Sequence, residues 1–195
     1  MCETAIPRLV THIVAWLAEH GPEWLSPPNP GASEAALAQL EAQLGRELPP
    51  ILRDLLHAAD GELAIGEYKT LSAADVYRNW ALLNRLAAEG RFANREVYPD
   101  DRGLIRADWW HPGYLPFAED SCGNLICIDL DPGPQGSVGQ IVWWETAEGP
   151  LVDNDGIPAL ADFLQAYWDN LASGAYDAPD VWDNAGAQDL TRRLP

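Results

Sequence analysis

Cysteine, histidine and closely spaced aspartate are the residue types here that could carry chemistry. Cys122 precedes Gly123 in a polar stretch, and His111 is the nearest histidine in sequence. A nucleophilic cysteine needs its thiolate stabilised, usually by a neighbouring cation. No Lys or Arg lies between Ala107 and Thr191 to supply one, so the sequence argues against a catalytic Cys122. The three cysteines, Cys2, Cys122 and Cys127, form no Cys-x-x-Cys pair. An odd number, with two in or near a strand-like run, predicts reduced thiols and a cytoplasmic setting.

His12, His20, His57 and His111 are the only histidines, and none falls in a His-x-x-x-His pattern. A Gly-x-Ser-x-Gly elbow, a phosphate loop and a dinucleotide fingerprint are all missing. Asp129-Leu130-Asp131 and Asp153-Asn154-Asp155-Gly156 place carboxylates at alternate positions. The second resembles part of a calcium loop, but Asp162 stands where the bidentate glutamate of such a loop belongs. An Asx turn accounts for the pattern equally. The reading is of a chain with no catalytic residues, no metal and no cofactor.

Charge bounds the partners. Of the net −18, residues 1–106 contribute −5 and residues 107–191 contribute −15, the latter from fifteen acids and no base; Arg192 and Arg193 supply the rest. Such a field repels nucleic acid and anionic membranes and attracts basic proteins. No signal peptide is evident, and no run approaches the roughly twenty apolar residues of a membrane helix.

These side chains hang on elements that the periodicity outlines. Ile6, Leu9, Val10, Ile13, Val14 and Leu17 mark an amphipathic helix ending at Gly21-Pro22, followed by the rigid connector Ser26 to Gly31. Ser33 caps a second helix that Gly45 ends, and Leu48-Pro49 opens a third that Asp60-Gly61 closes. A short strand is expected near Tyr68 to Leu71, then a fourth helix from Ser72 to near Gly90. After a polar, irregular stretch from Arg91 to Arg102 come strands over Leu125 to Asp131 and Gly139 to Glu145, forming a hairpin. A last helix follows Pro158 and stops at Gly174. Helices, then antiparallel strands, then a helix predict one α+β domain over residues 1–174, with an acidic irregular tail over 175–195.

Two stretches resemble one family. The first runs from Leu40-Glu41 through Leu44-Gly45-Arg46-Glu47-Leu48-Pro49 to Asp60-Gly61. The second is Leu115-Pro116-Phe117-Ala118-Glu119-Asp120 with Gly123-Asn124, the Cys127 to Asp131 strand, and the return Gly136, Gly139-Gln140 into Ile141 to Trp144. Their order and spacing resemble the SUKH superfamily, the Smi/Knr-type cell-wall-assembly-regulator family, over roughly residues 8–173. Most of these motif residues read as helix stops and strand starts, so the resemblance locates a scaffold better than a site. It implies protein binding with no enzymatic activity or cofactor. Many bacterial members resemble immunity proteins that neutralise polymorphic toxins, often nucleases or deaminases; fungal members act as regulators of cell-wall synthesis. The expectation is therefore an immunity protein for a basic toxin domain, with a regulatory or scaffolding domain as the alternative. Aromatic residues flanked by acids make good anchors. The residues expected to bind the partner are Asp108, Trp109, Trp110, Asp129, Asp131, Trp143, Trp144, Glu145, Asp153 and Asp155. Strand alternation sends Trp143 and Trp144 to opposite faces, so at most one of that pair is expected to anchor.

Overall fold

The structure is a computed structural model that describes residues 5–23, 25–97, 100, 102–152 and 158–174. The elements run α1 (Ala5–His20), α2 (Glu34–Leu44), α3 (Pro50–Ala58), β1 (Ala64–Ile65), β2 (Tyr68–Thr70), α4 (Ala73–Ala88), β3 (Tyr114–Glu119), β4 (Leu125–Asp129), β5 (Gln140–Glu145), β6 (Gly149–Leu151) and α5 (Leu160–Ser173). The six strands form one antiparallel sheet in sequence order, which makes the fold α+β.

Local chemistry sets the helix ends. The Ala36 N–H donates to Ser33 Oγ at 3.2 Å, and Gly45 takes the left-handed conformation at φ 67° that lets α2 stop. Pro50 opens α3, where a missing N–H costs little. At α4, Asp75 N–H donates to Ser72 Oγ, and the hydroxyl donates to the Asp75 carboxylate at 2.7 Å. Asp75 is one methylene too short for the reciprocal reach to the Ser72 backbone that a glutamate makes, so it closes a side-chain pair instead.

β1, β3 and β6 were not expected from the sequence. β3 reads Tyr-Leu-Pro-Phe-Ala-Glu, with a proline in mid-run. Its pairing to β4 is irregular between Pro116 and Ala118, and Phe117 C=O there accepts from Leu71 N–H at 2.8 Å. A bulge is where a strand accommodates proline.

The sheet is covered on both faces. Leu115, Phe117, Ile126, Ile128, Ile141 and Trp143 face the larger core, shared with α1, α2, α3 and α5. Tyr114, Leu125, Cys127, Val142 and Trp144 face a second core, closed by Leu83 of α4 and by Ile105, Trp109 and Trp110 of the long loop before β3. Two covered faces explain why β4 is buried at every position and β5 at all but its last.

Candidate interaction surface

The four tryptophans expected as anchors serve the cores instead. Trp109, Trp110, Trp143 and Trp144 are each less than a tenth exposed. Trp143 and Trp144 do face opposite ways, but both faces are covered. Trp144 Nε1 donates to Trp109 C=O at 2.7 Å, and Trp110 Nε1 donates to Asn84 Oδ1 at 3.2 Å. Trp110 stands edge-on to Trp144 at 5.7 Å. Trp109 lies under Arg95, 4.9 Å from the ring centroid, and against Gly149, where an added Cβ would come within 3.0 Å of the indole. Trp143 packs on Phe163 of α5, and its Nε1 has no partner among the described residues. The cause is the segment before β3, where Phe92, Val97 and Ile105 with Trp109 and Trp110 close the second face; the stretch from Arg91 to Arg102 was expected to be irregular.

Asp129 is corrected as well: it is fully buried. It lies between Tyr114 of β3 and Gln140 of β5 in the ladder. Asp129 Oδ1 accepts from Asp131 N–H at 3.0 Å, and Oδ2 accepts from Gln140 Nε2 at 3.0 Å. Gln140 Nε2 also donates to Leu104 C=O at 2.8 Å, while its Oε1 accepts from Ser137 N–H at 2.9 Å. This pair joins β4, β5 and two loops. Burial raises the Asp129 pKa; the Asp131 N–H, the Gln140 amide and nearby His111 pull it back. Gln140 stood inside the Gly139-Gln140 motif, and its role as a loop tie was missed.

Asp131 is exposed. Arg106 Nη2 donates to its Oδ1 at 2.5 Å, and His111 Nε2 lies 3.5 Å from Oδ2. The Arg106 hydrogen bond holds its carboxyl below the usual carboxylate range. Asp108 is exposed and Glu145 half-buried. Asp153 and Asp155, with the calcium-like loop, lie outside the described residues, as does the tail 175–195.

Among the described residues, neither Cys122 nor Cys127 is a poised nucleophile. Cys122 is exposed in the β3–β4 turn, where Asp120 Oδ1 accepts the N–H of Cys122 and of Asn124, both at 2.8 Å. Cys127 is fully buried, and burial drives its thiol pKa up, away from the reactive thiolate. Among the described residues there is no cluster of three or more His, Cys, Asp or Glu able to hold a metal ion, and no helix long and apolar enough to cross a membrane.

Acidic side chains gather at one end of the sheet, Glu67 exposed and Asp120 and Glu145 half-buried. Glu67 lies in the β1–β2 turn, Asp120 opens the β3–β4 turn, and Glu145 ends β5. All three bear electrostatically on buried Tyr68, whose hydroxyl pKa is raised chiefly by burial and then by Asp120, Glu145 and Glu67. Exposed Glu148 sits in the adjoining β5–β6 turn. Three adjacent turns thus present carboxylates together.

The family-like motif residues prove to be scaffold. Glu41 Oε1 accepts from Leu48 N–H at 3.1 Å and from Arg53 Nη1 at 3.0 Å, which ties the Leu-Pro turn to α2 and α3. Asp60 Oδ1 accepts from Ala73 N–H at 2.7 Å at the start of α4. Gly61, at φ 86°, lies so close to Ser72 that an added Cβ would fall 2.7 Å from its backbone nitrogen. A model of the SMI1 / KNR4 family (SUKH-1) matches residues 31–170. Among curated proteins, the chain is 27% identical over 184 residues to KNR4/SMI1 homolog 2 of Debaryomyces hansenii, covering 71% of this chain and 31% of that protein. It is 30% identical over 131 residues to the cell wall biosynthesis/cell cycle regulator smi1 of Schizosaccharomyces pombe, covering 57% and 26%. It is 26% identical over 202 residues to the glucan synthesis regulatory protein of Neurospora crassa, covering 83% and 37%. The chain therefore spans roughly a quarter to a third of the length of these relatives. The match takes in α2 to α5 and every strand of the sheet, and on it the chain belongs to the SMI1/KNR4 family (SUKH-1).

Proposed function

We propose that this chain is a regulatory domain that acts by binding a basic protein partner and catalyses no reaction itself. The observation that carries this is the charge distribution: fifteen acids and no base over residues 107–191, with Glu67, Asp120 and Glu145 converging at one end of the sheet. Complementary charge raises association rates and excludes wrong partners. Two of the relatives are named as regulators, of cell wall biosynthesis and cell cycle and of glucan synthesis, and that supports regulation over catalysis. Whether this chain acts on cell-wall synthesis is part of the proposal, because it matches only a fraction of each regulator. Free Cys122 and Cys127 fit a reducing, cytoplasmic setting. The test is to crosslink the chain to its neighbours in source cells, identify the partner, and rebuild the complex from purified proteins. The reading expects a basic partner and a complex that weakens as salt rises. A tight complex with a neutral or acidic partner, insensitive to salt, counts against it.

The same acid surplus favours one second reading, an immunity protein that neutralises a basic toxin domain, such as a nuclease or deaminase, by direct contact. Co-expression separates the two. Relief of a toxin domain's toxicity, with a stable complex, supports immunity; unrelieved toxicity for toxins encoded beside this chain removes it.

A further inference from the structure

The acid field can steer a partner from a distance, but steering charges contribute little to the lifetime of a complex. Lifetime depends on a few anchors, most often tryptophan, tyrosine or arginine. With Trp109, Trp110, Trp143 and Trp144 inside, three half-buried indoles remain among the described residues: Trp80 on α4, whose Nε1 donates to Pro112 C=O at 3.0 Å, and Trp16 on α1 and Trp168 on α5, both at the margin of the larger core. Trp16 and Trp168 belong to one seam, since α1 and α5 pack together. His12, Trp16 and His20 are spaced four apart and share a stripe of α1. The exposed His20 ring stacks on Trp16 at 4.7 Å and 20°, and the exposed His12 ring lies over Trp168 at 5.1 Å and 39°. Trp16 C=O accepts from His20 Nδ1 at 3.1 Å; a carbonyl can only accept, so that nitrogen carries the hydrogen and the ring is held over the indole.

Each indole therefore turns a π face outward, and each face already holds a planar, nitrogen-rich ring. The charge beside them has one dominant sign. Glu19 is one turn from Trp16, and Gln165, one turn from Trp168, donates to Asp169 Oδ1 at 2.8 Å; all are exposed. On α1 and α5 together three carboxylates, Glu19, Asp162 and Asp169, stand against one Lys or Arg, Arg8, which lies one turn from His12. An indole face with an exposed carboxylate near it suits arginine better than lysine, because a guanidinium stacks flat while its N–H groups reach the acid.

The geometry points to the α1–α5 seam as the anchoring surface for an arginine-bearing segment of a partner protein, whose guanidinium groups displace the His12 and His20 rings from Trp168 and Trp16. This rests on the reading of the chain as a binder of basic proteins and adds where, and by which side chain, the partner holds. His12, Trp16 and His20 precede the family match at residue 31, so this half of the seam is additional to the matched domain.

The test titrates the whole chain with nona-arginine and nona-lysine peptides at low ionic strength, by calorimetry and by the indole N–H signals in NMR. Nona-arginine should bind more tightly and shift the Trp16 and Trp168 signals. The variant Trp16→Leu/Trp168→Leu, which keeps apolar bulk and loses the π faces, should bind nona-arginine about tenfold more weakly, some 1.4 kcal/mol for two stacked cations. Its affinity for nona-lysine should barely change. His12→Ala/His20→Ala alters only exposed rings and so preserves the fold; it should bind nona-arginine at least as well as the parent, and weaker binding overturns the displacement. If both peptides bind parent and leucine variant alike, the seam is not the anchor, yet the chain still binds basic partners. If neither peptide binds at all, both readings fall.

Discussion

Replacing Gln140 with leucine, which is close in volume, tests how the second core is tied together. The substitution removes three hydrogen bonds: to Leu104 C=O at 2.8 Å, to Asp129 Oδ2 at 3.0 Å and from Ser137 N–H at 2.9 Å. Two neutral bonds contribute about 1 kcal/mol each, and a bond to a buried carboxylate about 2, so the loss at neutral pH should be about 4 kcal/mol. The pH dependence is more diagnostic. Burial holds the Asp129 pKa above its unfolded value, so its contribution is most favourable below the ordinary carboxylate pKa and is lost as pH rises through the folded value. The Gln140 N–H pulls that pKa down; without it the pKa climbs further and ionised Asp129 costs more. The destabilisation should therefore shrink on acidification, once Asp129 is protonated, to about 2 kcal/mol for the two neutral bonds. Urea denaturation of parent and variant at neutral pH and through a descending pH series measures this, and taking the difference between the two proteins cancels the other carboxylates. A loss below about 1 kcal/mol, or one independent of pH, refutes the argument.

Three further outcomes follow from the scaffold. Asp100 accepts from the N–H groups of Arg102, Leu104 and Ile105 and from Arg102 Nε, so Asp100→Ala should cost about 2–3 kcal/mol in chemical denaturation. These donors outweigh desolvation, itself the largest single influence, and lower the Asp100 pKa; the stabilisation should hold above the ordinary carboxylate range and fade as pH falls through the folded value. Gly61→Ala should cost more than about 2 kcal/mol in thermal unfolding, whereas Gly45→Ala, equally left-handed but with nothing within 4 Å of the new Cβ, should cost about 1. Glu41→Ala should cost about 2 kcal/mol by loosening the Leu48 turn from Arg53, and Glu41→Gln, which keeps an acceptor oxygen, should recover about half in the same denaturation assay.

Much of the helical part was legible because it depends on local chemistry. Ser33, Gly45, Ser72 and Gly174 end their helices through neighbours a few residues away, and apolar spacing marks their inner faces. The β4–β5 hairpin was legible from alternation. β3 was not, because Pro116 reads as a strand breaker unless its bulge is known. The anchor residues were misread for a related reason. Alternation says that Trp143 and Trp144 face opposite ways, but only tertiary structure shows both faces covered, one by the α1–α5 layer and one by a loop that looked irregular. The seam holding Trp16 and Trp168 was equally hidden, since it exists only where helices near the two ends of the chain meet. Periodicity marked both helices as amphipathic without showing which flank of each stays open.

The central claim is that carboxylates on this domain draw in a basic protein. Its most direct measurement is the association rate of the purified chain with its crosslinked partner across a range of salt, for the parent and for Glu67→Gln/Glu148→Gln, two exposed positions at the acidic end of the sheet. The rate should fall steeply with salt in the parent, and in the variant it should be several-fold lower at low salt and less salt-sensitive, with both proteins equally stable. Identical, salt-independent rates for the two proteins would contradict the claim.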